Sequence, residues 1–568
     1  MRVTALRLAQ GLLLLVLAAA GTAQAQISDP WQGQRIEAVY IALAEPVDDE
    51  AQRSTLQDKL RRTLNLFPGV AFRPLQLDWG LARLRGLAEV SAANAQLQPG
   101  PTGGVIVAVT VLLAGARAEP GVPAPAAPAW PVLWRSDDAL LKVKLTAAGL
   151  GYGNRNAWYG QPGDFVGANP LATQPSGAGW APWVEGAFEI GLQGIAPVAP
   201  SVYVYGSLSA MVSGSAGTEL FTDEPRSYSG IEDAYLGLVG GKTWDDGSRL
   251  VTNLSVGRQP FQIADGMLIR LTAGNGFDRA ALQLNPRWAA DNLWLAEARY
   301  NEHSLEIFRL DPDELPAIDS RTIVHGLNFE TGMGSDRQFG ASLLHVPQSS
   351  YGYYTPTAAG TRAGLYVLDA RFHWLPQAIG LAGPFFKAEA AVQRNNENAF
   401  AMRAWGGYVE GGWLFADARW RPTLSWRLSA FSGDNPSTAT YERWDPLLSG
   451  GTPEEWVQGI NHYKLFQDSN VVAQRLQLRL QTSARSELVP QLWYFRAQQT
   501  NNLGGALSTL AGRSLGWEVN LTGKYYPTRN LYLQAGTAAT FPLSGVQGAV
   551  GNKLSAWVSA VLLARLSY

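Results

Sequence analysis

The last fifteen residues, Leu554 to Tyr568, alternate so regularly that they constrain the fold of the whole chain. Leu554, Ala556, Val558, Ala560, Leu562, Ala564, Leu566 and Tyr568 form one apolar face, while Ser555, Trp557, Ser559, Val561, Leu563, Arg565 and Ser567 form the other. Successive side chains of a strand point to opposite sides, so the segment is a long ribbon with one greasy side. It exceeds the usual soluble strand of roughly five or six residues. A tilted bilayer crossing within a closed barrel suits it, because lipid-facing and lumen-facing residues alternate there. The edge of a soluble sandwich is disfavoured by the other end of the chain.

That end reads as a secretory signal over residues 1–25. Arg2 and Arg7 give a basic start, Leu12 to Ala20 an apolar core, and Ala23-Gln24-Ala25 a small-residue cleavage motif before Gln26. The apolar run is too short to span a bilayer, and no later run reaches the ~18–20 residues a transmembrane helix needs. Membrane insertion therefore has to use strands. The absence of cysteine excludes disulfides, thiolate chemistry and lipid attachment through an amino-terminal Cys. Abundant Gly (60), Trp (20) and Tyr (20) with only 16% charged residues fit many strands, many turns and interfacial aromatics. A formal charge of −2 argues against a broad nucleic-acid surface.

A Pro/Ala-rich linker at 115–135 divides the exported chain into an amino-terminal domain, 26–114, and a second domain, 136–568. In the first, Arg35 to Leu43 reads as a strand. Pro46 then opens a helix with Asp48, Asp49 and Glu50 in its first turn and Leu56, Leu60 and Leu64 at helical spacing. Leu77, Leu81, Leu84 and Leu87 share one face of a second helix over Leu75 to Leu87. Val90 to Leu97 and Val105 to Leu112 follow as strands. The order β-α-α-β-β, with Leu97-Gln98-Pro99-Gly100 and Gly103-Gly104-Val105-Ile106-Val107, resembles a POTRA domain. The resemblance implies a periplasmic position and polypeptide handling by strand addition.

Alternation recurs beyond the linker. Leu424, Trp426 and Leu428 interleave with Ser425, Arg427 and Ser429, and Leu476, Leu478 and Leu480 interleave with Arg475, Gln477, Arg479 and Gln481. Val184, Gly186, Phe188 and Ile190 interleave with Glu185, Ala187 and Glu189, and Leu515, Trp517, Val519 and Leu521 with Gly516, Glu518, Asn520 and Thr522. Charges gather on the face opposite the apolar one, as a wet lumen requires. At roughly 24 residues per strand and turn, residues 136–568 give ~16–18 strands, with eighteen the expectation, in a transmembrane antiparallel β-barrel. The fold class is mainly β with a small α+β domain ahead of the barrel.

Val256-Gly257-Arg258-Gln259-Pro260-Phe261-Gln262-Ile263-Ala264-Asp265-Gly266, running through Phe277-Asp278-Arg279 to Leu282, is similar to a segment of alginate-export outer-membrane barrels. Phe431-Ser432-Gly433-Asp434-Asn435-Pro436, followed by Tyr441-Glu442-Arg443-Trp444-Asp445-Pro446-Leu447-Leu448, resembles that family's Ser-Gly-Asp and Asp-Pro-Leu loop. Tyr228 to Leu238, with Glu232-Asp233-Ala234-Tyr235-Leu236, is a third such stretch. The resemblance implies an 18-strand barrel in the outer membrane whose arginine-lined constriction passes an anionic polysaccharide. Met267, where an Arg is common after the Asp-Gly, and the POTRA-like domain depart from the family pattern and bear on the substrate.

Guanidinium groups suit a polyuronate because they are always charged and match carboxylates geometrically. Arg258, Arg270 and Arg279 in the family-like segment, with Arg427, Arg475 and Arg479 on polar strand faces, are the candidate pore residues. A structural ion pair with an inward carboxylate is the competing role for each. His303, His325, His345, His373 and His462 lack metal-ligand spacing, and no nucleophile elbow or phosphate loop is present, so neither cofactor, metal nor enzymatic activity is expected. Asp245-Asp246 and Asp311-Pro312-Asp313-Glu314 read as solvated acidic loops, with Ca²⁺ as the competing reading.

The expected partners are outer-membrane lipid, an anionic polysaccharide or small solute, and the barrel-assembly machinery at the strand ending in Tyr568. A periplasmic protein would meet the POTRA-like domain. A polypeptide transporter or insertase is the alternative, but the Val-Arg-Gly-Phe/Tyr motif of such barrels is missing: the one Arg-Gly, Arg85-Gly86, lies in the amino-terminal domain. Residues 433–467 are long enough to form an extracellular loop over or inside the pore.

Overall fold

The structure is a computed structural model that describes residues 31–45, 49–114, 130–136, 138–157, 179–218, 224–355, 358–450, 459–464, 467–504, 507–550 and 555–568. The expected signal peptide, Pro46 and most of the linker lie outside the described residues.

The amino-terminal domain has the expected element order: β1 (Ile36–Leu43), α1 (Glu50–Leu64), α2 (Pro74–Arg85), β2 (Val90–Pro99) and β3 (Val105–Leu113). Its sheet runs β1-β3-β2, with β1 parallel and β2 antiparallel to β3. Asp49 caps α1, its Oδ1 accepting from the backbone N–H of Ala51 (2.9 Å) and Gln52 (3.2 Å). Asn65 ends that helix in the left-handed conformation, and Pro74 starts α2 where a missing N–H costs nothing. Leu60, Leu64, Leu77, Leu81 and Leu84 form one core with Ile36, Val105, Val107 and Val109 of the sheet.

The Gly-rich turn before β3 is built around a buried acid. The Glu37 carboxylate accepts from Thr102 N (3.0 Å), Thr102 Oγ1 (2.7 Å) and Gly104 N (2.5 Å). A Cβ at Gly104 would sit 2.4 Å from Arg35 O. Gly104→Ala should therefore destabilise this domain by about 1–3 kcal/mol, the range for disturbing a buried hydrogen-bonded group. Faster proteolysis within 31–114, with the barrel unchanged, is the expected readout.

Eighteen antiparallel strands form the second domain, from Leu140–Arg155 to Trp557–Ser567, and these two pair with each other to close the ring. Eighteen is the count the sequence leads one to expect. Val132–Arg135, at the end of the expected linker, is a further short strand on the start of Leu140–Arg155. Strands reach 20 residues (Trp180–Ala199), enough to cross a bilayer at a tilt. One rim has short turns, such as those between Ala199 and Val202, Tyr300 and His303, and Ser483 and Ser486. The opposite rim carries the loops 259–291, 312–322, 349–364 and 432–470. In barrels of this type the short turns face the periplasm.

The wall is inverted relative to a soluble protein. Leu236 and Leu562 are 65% and 67% exposed on the outside, while Glu189, Asp233, Arg427, Arg475 and Asn520 are buried inside. Leu424 and Trp426 point outward and Ser425, Arg427 and Ser429 inward, following the alternation of the sequence. An apolar outer face over a closed, edge-free sheet is the arrangement a bilayer stabilises.

Candidate functional site

Every feature inside the barrel is organised by two intrusions, the amino-terminal domain from the short-turn rim and two long loops from the other. By position the domain is a plug in that mouth. Trp31 stacks on Tyr526 at 4.4 Å, and Arg35 donates to Gln338 Oε1 (2.5 Å) beside His373. Arg299 donates to Asn65 Oδ1 (3.0 Å) and lies over the Phe67 ring, while Arg529 donates to Ala95 O (3.0 Å). Thr102 O accepts from Lys387 (3.4 Å), and a Cβ at Gly103 would lie 3.1 Å from the Arg479 guanidinium. These partners are spread over strands around the whole ring.

The most buried link is Lys142 Nζ to Asp78 Oδ2 at 2.8 Å, between the wall and α2. Trp79, Leu140 and Ile195 form an apolar cluster beside it, with Tyr203 packed edge-on against Trp79. Burial raises the Asp78 carboxyl above its usual value, and Lys142 offsets this only in part.

Loop 259–291 enters from the other rim and is gripped by its backbone. Glu185 accepts from Gln283 N (3.0 Å) and Leu284 N (2.6 Å), and Glu232 Oε1 accepts from Trp288 N (2.7 Å) and Ala289 N (2.9 Å). Glu232 and its neighbour Asp233 both point inward because a bulge there shifts the register, breaking simple alternation. Met267, Leu268, Ile269 and Leu284 are buried in a lumenal core with Phe261, Phe308 and Tyr408.

Asp313 takes three guanidinium groups, from Arg258 (2.8 Å), Arg279 (2.8 Å) and Arg287 (2.7 Å). Burial pushes its carboxyl up, but these cations override burial and hold it below the usual range. Asp265, within loop 259–291 itself, accepts from Tyr408 Oη (2.9 Å). Burial opposes its charge as well, and Lys387, His373, Arg35 and Arg427 hold it far below the usual range.

The described parts of 432–470 lie inward too, as the length of the loop allows. Asp445 receives Arg362 through Nε (2.7 Å) and Nη2 (2.8 Å), and Tyr353 through its hydroxyl. Glu518 accepts from Asn461 N (3.1 Å) and His462 N (3.0 Å), and its Oε2 is 2.8 Å from His462 Nδ1. Lys464 lies over the Tyr152 ring, and burial pulls its ammonium down to about 7 against the partial support of Glu518 and Glu185. The main chains of the two loops pair at Ile269 and Leu448.

A cavity of about 330 Å³ remains between plug, wall and loop 259–291. Its lining mixes Tyr205, Tyr235 and Trp288 with Asn253 and Gln259 amides and with charges of both signs. Lys144 is neutralised on the wall by Glu189 (2.5 Å) and Asp233 (2.6 Å).

The six arginines singled out in the sequence all lie within or above the lumen, in three places rather than one ring. Arg258 and Arg279 meet at Asp313, Arg258 also pairing with Asp291, while Arg270 lines the cavity over the Trp288 ring. Arg427 and Arg475 share Glu410 (2.6 and 2.8 Å), and Arg479 pairs with Glu487 (3.0 Å). The acidic loop read as solvated contains the anchor Asp313 instead, and among the described residues no His/Asp/Glu group is set to hold a metal. Sequence reading missed Glu185, Glu232 and Glu518, whose partners are backbone N–H groups and leave no trace in composition. The plug contact was missed as well, although Leu75 and Trp79 give α2 a second apolar stripe at helical spacing.

The closed wall, apolar belt and polar lumen define a transmembrane β-barrel of the outer-membrane type. No family model matches the chain, and no curated protein matches it. Among solved structures, it is similar to a BenF-like porin from Pseudomonas fluorescens Pf-5 (11% identity over 75% of this chain and 98% of that one, TM-score 0.44). It is also similar to Pseudomonas aeruginosa OccK2 (OpdF) in complex with glucuronate (10% identity, 75% and 98%, TM-score 0.43). CdiB from Acinetobacter baumannii covers 94% of this chain over 74% of its own length, at 11% identity and a TM-score of 0.31.

Proposed function

We propose that this chain is an outer-membrane channel for hydrophilic solutes, held shut by its own amino-terminal domain on the periplasmic side. The observation that carries this reading is the domain's seat in the short-turn mouth, tied to the wall around the ring, with a cavity of charged, amide and apolar lining left behind it. Passage requires the plug to shift. The driving force comes from a solute gradient or from a periplasmic partner acting on the plug.

Within this reading, an anionic polysaccharide is the narrower expectation. Its support is the flank bearing Arg427, Arg475 and Arg479, whose resting counterions Glu410 and Glu487 such a solute would have to replace. The element order of the amino-terminal domain supports the polypeptide-handling alternative only as far as that domain's fold, whereas its seat in the mouth supports a plug.

A cysteine-free chain permits a direct test. Arg249 donates to Arg62 O at 3.0 Å across the seam. Arg62→Cys and Arg249→Cys, joined by a reducible bis-methanethiosulfonate, should abolish channel openings in planar bilayers, and reductant should restore them. A polyuronate arm reports block by the anionic polymer. Equal conductance before and after joining would defeat the plug reading.

A further inference from the structure

We propose that the cavity behind the plug is a binding site for a small zwitterionic solute of amino-acid or short-peptide type. Arg73 would hold its carboxylate, and Glu297, Glu306 and Glu330 its ammonium group. The assignment of this ligand as a transported solute rests on the reading of the chain as a channel for hydrophilic solutes and is independent of the anionic-polysaccharide expectation; the binding itself rests on neither.

Arg73 stands at the amino-terminal end of α2 and points its side chain into the cavity. Its side chain is exposed and lines that space, with no hydrogen bond or ion pair to its guanidinium among the described residues. The facing charges lie on three adjacent strands. Glu297 is directly opposite Glu306, and Glu330 is opposite Ser304 on the same strand as Glu306. Like charges directly across a ladder are destabilising, so this grouping calls for a cation.

The protein supplies little direct compensation. Asn328 donates to Glu306 (2.8 Å) and Asn253 to Glu297 (3.4 Å), both neutral amides. Arg371 is 3.7 Å from Glu330 but is committed to Asp369, and Arg299 is committed to Asn65 and the Phe67 face. Arg73 faces Glu297 and Glu306 across the gap without touching them. A solute carrying both charges would neutralise both sides at once, whereas a neutral sugar could hydrogen-bond to them but would neutralise neither.

At about 330 Å³ the cavity holds roughly ten waters at ~30 Å³ each, and it falls within the ~300–1,000 Å³ range of ligand sites.

The test is calorimetric titration of the full mature chain, refolded in detergent, with four probes: triglycine, N-acetyl-triglycine, triglycine amide and maltotriose. Triglycine should bind at least tenfold more tightly than either blocked form, and maltotriose should not bind. Arg73→Gln should erase the difference between triglycine and its amide while keeping the preference for a free amine. Glu306→Gln should weaken that amine preference. Arg73 makes no hydrogen bond or ion pair through its side chain, so its variant is expected to keep the fold, which gel mobility of the unheated barrel would verify. Equal binding of the blocked forms, preferential binding of maltotriose or absence of triglycine binding would overturn the inference. Channel openings controlled by the tethered plug would leave the channel reading standing in each of those cases.

Discussion

Asp313→Ala is expected to release loop 259–291 from the lumen and, whenever the plug shifts, to let the barrel open to a larger conductance. Its carboxylate is the common anion for Arg258, Arg279 and Arg287, of which Arg279 and Arg287 are 6% and 2% exposed at their side chains. Breaking a buried pair by deleting one partner costs ~3–5 kcal/mol, because the charge left behind is uncompensated. Here three cations share the loss. Arg258 keeps Asp291, and Arg279 keeps the carbonyls of Gly274, Asp313 and Glu314. Arg287 keeps Ile231 O and a longer contact to Glu232 at 3.6 Å, so it is the most exposed to the change.

The strands do not depend on Asp313, so the barrel should remain intact on unheated gels while proteases begin to cut within 259–291. Acid should act in the same direction. The folded-state carboxyl is held below its unfolded value, so its contribution is complete above about pH 4 and fades as pH falls through the depressed folded value. Asp313→Asn, which keeps the shape and loses the charge, should already show most of the effect. An unchanged protease pattern and unchanged conductance in Asp313→Ala would mean that Glu185 and Glu232 suffice to hold the loop.

The barrel was legible in the sequence because its determinant is local. Alternation in Leu424 to Ser429 or Val558 to Ser567 states which side each residue faces, and a bilayer leaves no other way to satisfy the backbone. The amino-terminal domain was legible for the same reason, through leucines at helical spacing and a Gly-rich turn. What filled the lumen was not legible. Glu185 meets Gln283 and Leu284 at nearly a hundred residues' separation, through main-chain groups that every sequence possesses. The paired Glu232-Asp233 even contradicts the strand period, and only the bulge explains how both point inward. The arginines were found, but not their arrangement, since Arg258 and Arg279 converge on a carboxylate from a different loop. Asp78 reads as an ordinary helix-surface acid until the wall brings Lys142 to it.

That pair yields the other large effect, with opposite signs for single and double substitution. Lys142→Met should unseat the plug, leaving Asp78 buried beside Trp79, Leu140 and Ile195 with no countercharge and with Oδ1 already lacking a partner. Asp78→Asn should loosen it as well, because the Lys142 ammonium, 2% exposed, then has no anion. Each single change is expected to cost ~3–5 kcal/mol of seating energy and to raise open probability in bilayers, whereas Asp78→Leu with Lys142→Met should be neutral or tighten the seat. The raised Asp78 carboxyl explains why the double change is tolerated: burial outweighs Lys142, so the ionised pair is held at a net cost. That cost is absent below about pH 4, where the carboxyl is protonated in both states, and it grows as pH rises through the raised folded value. Acid should thus tighten the plug while it loosens the loop held by Asp313. Recording open probability and conductance from about pH 2 to 8 in wild type, Asp313→Ala and the double variant separates the two, since the loop's share falls below about pH 4 and only the double variant loses the plug's share. If both single changes and the double change open the channel equally, the pair stabilises the seat outright, and plug release has to be sought elsewhere along the seam.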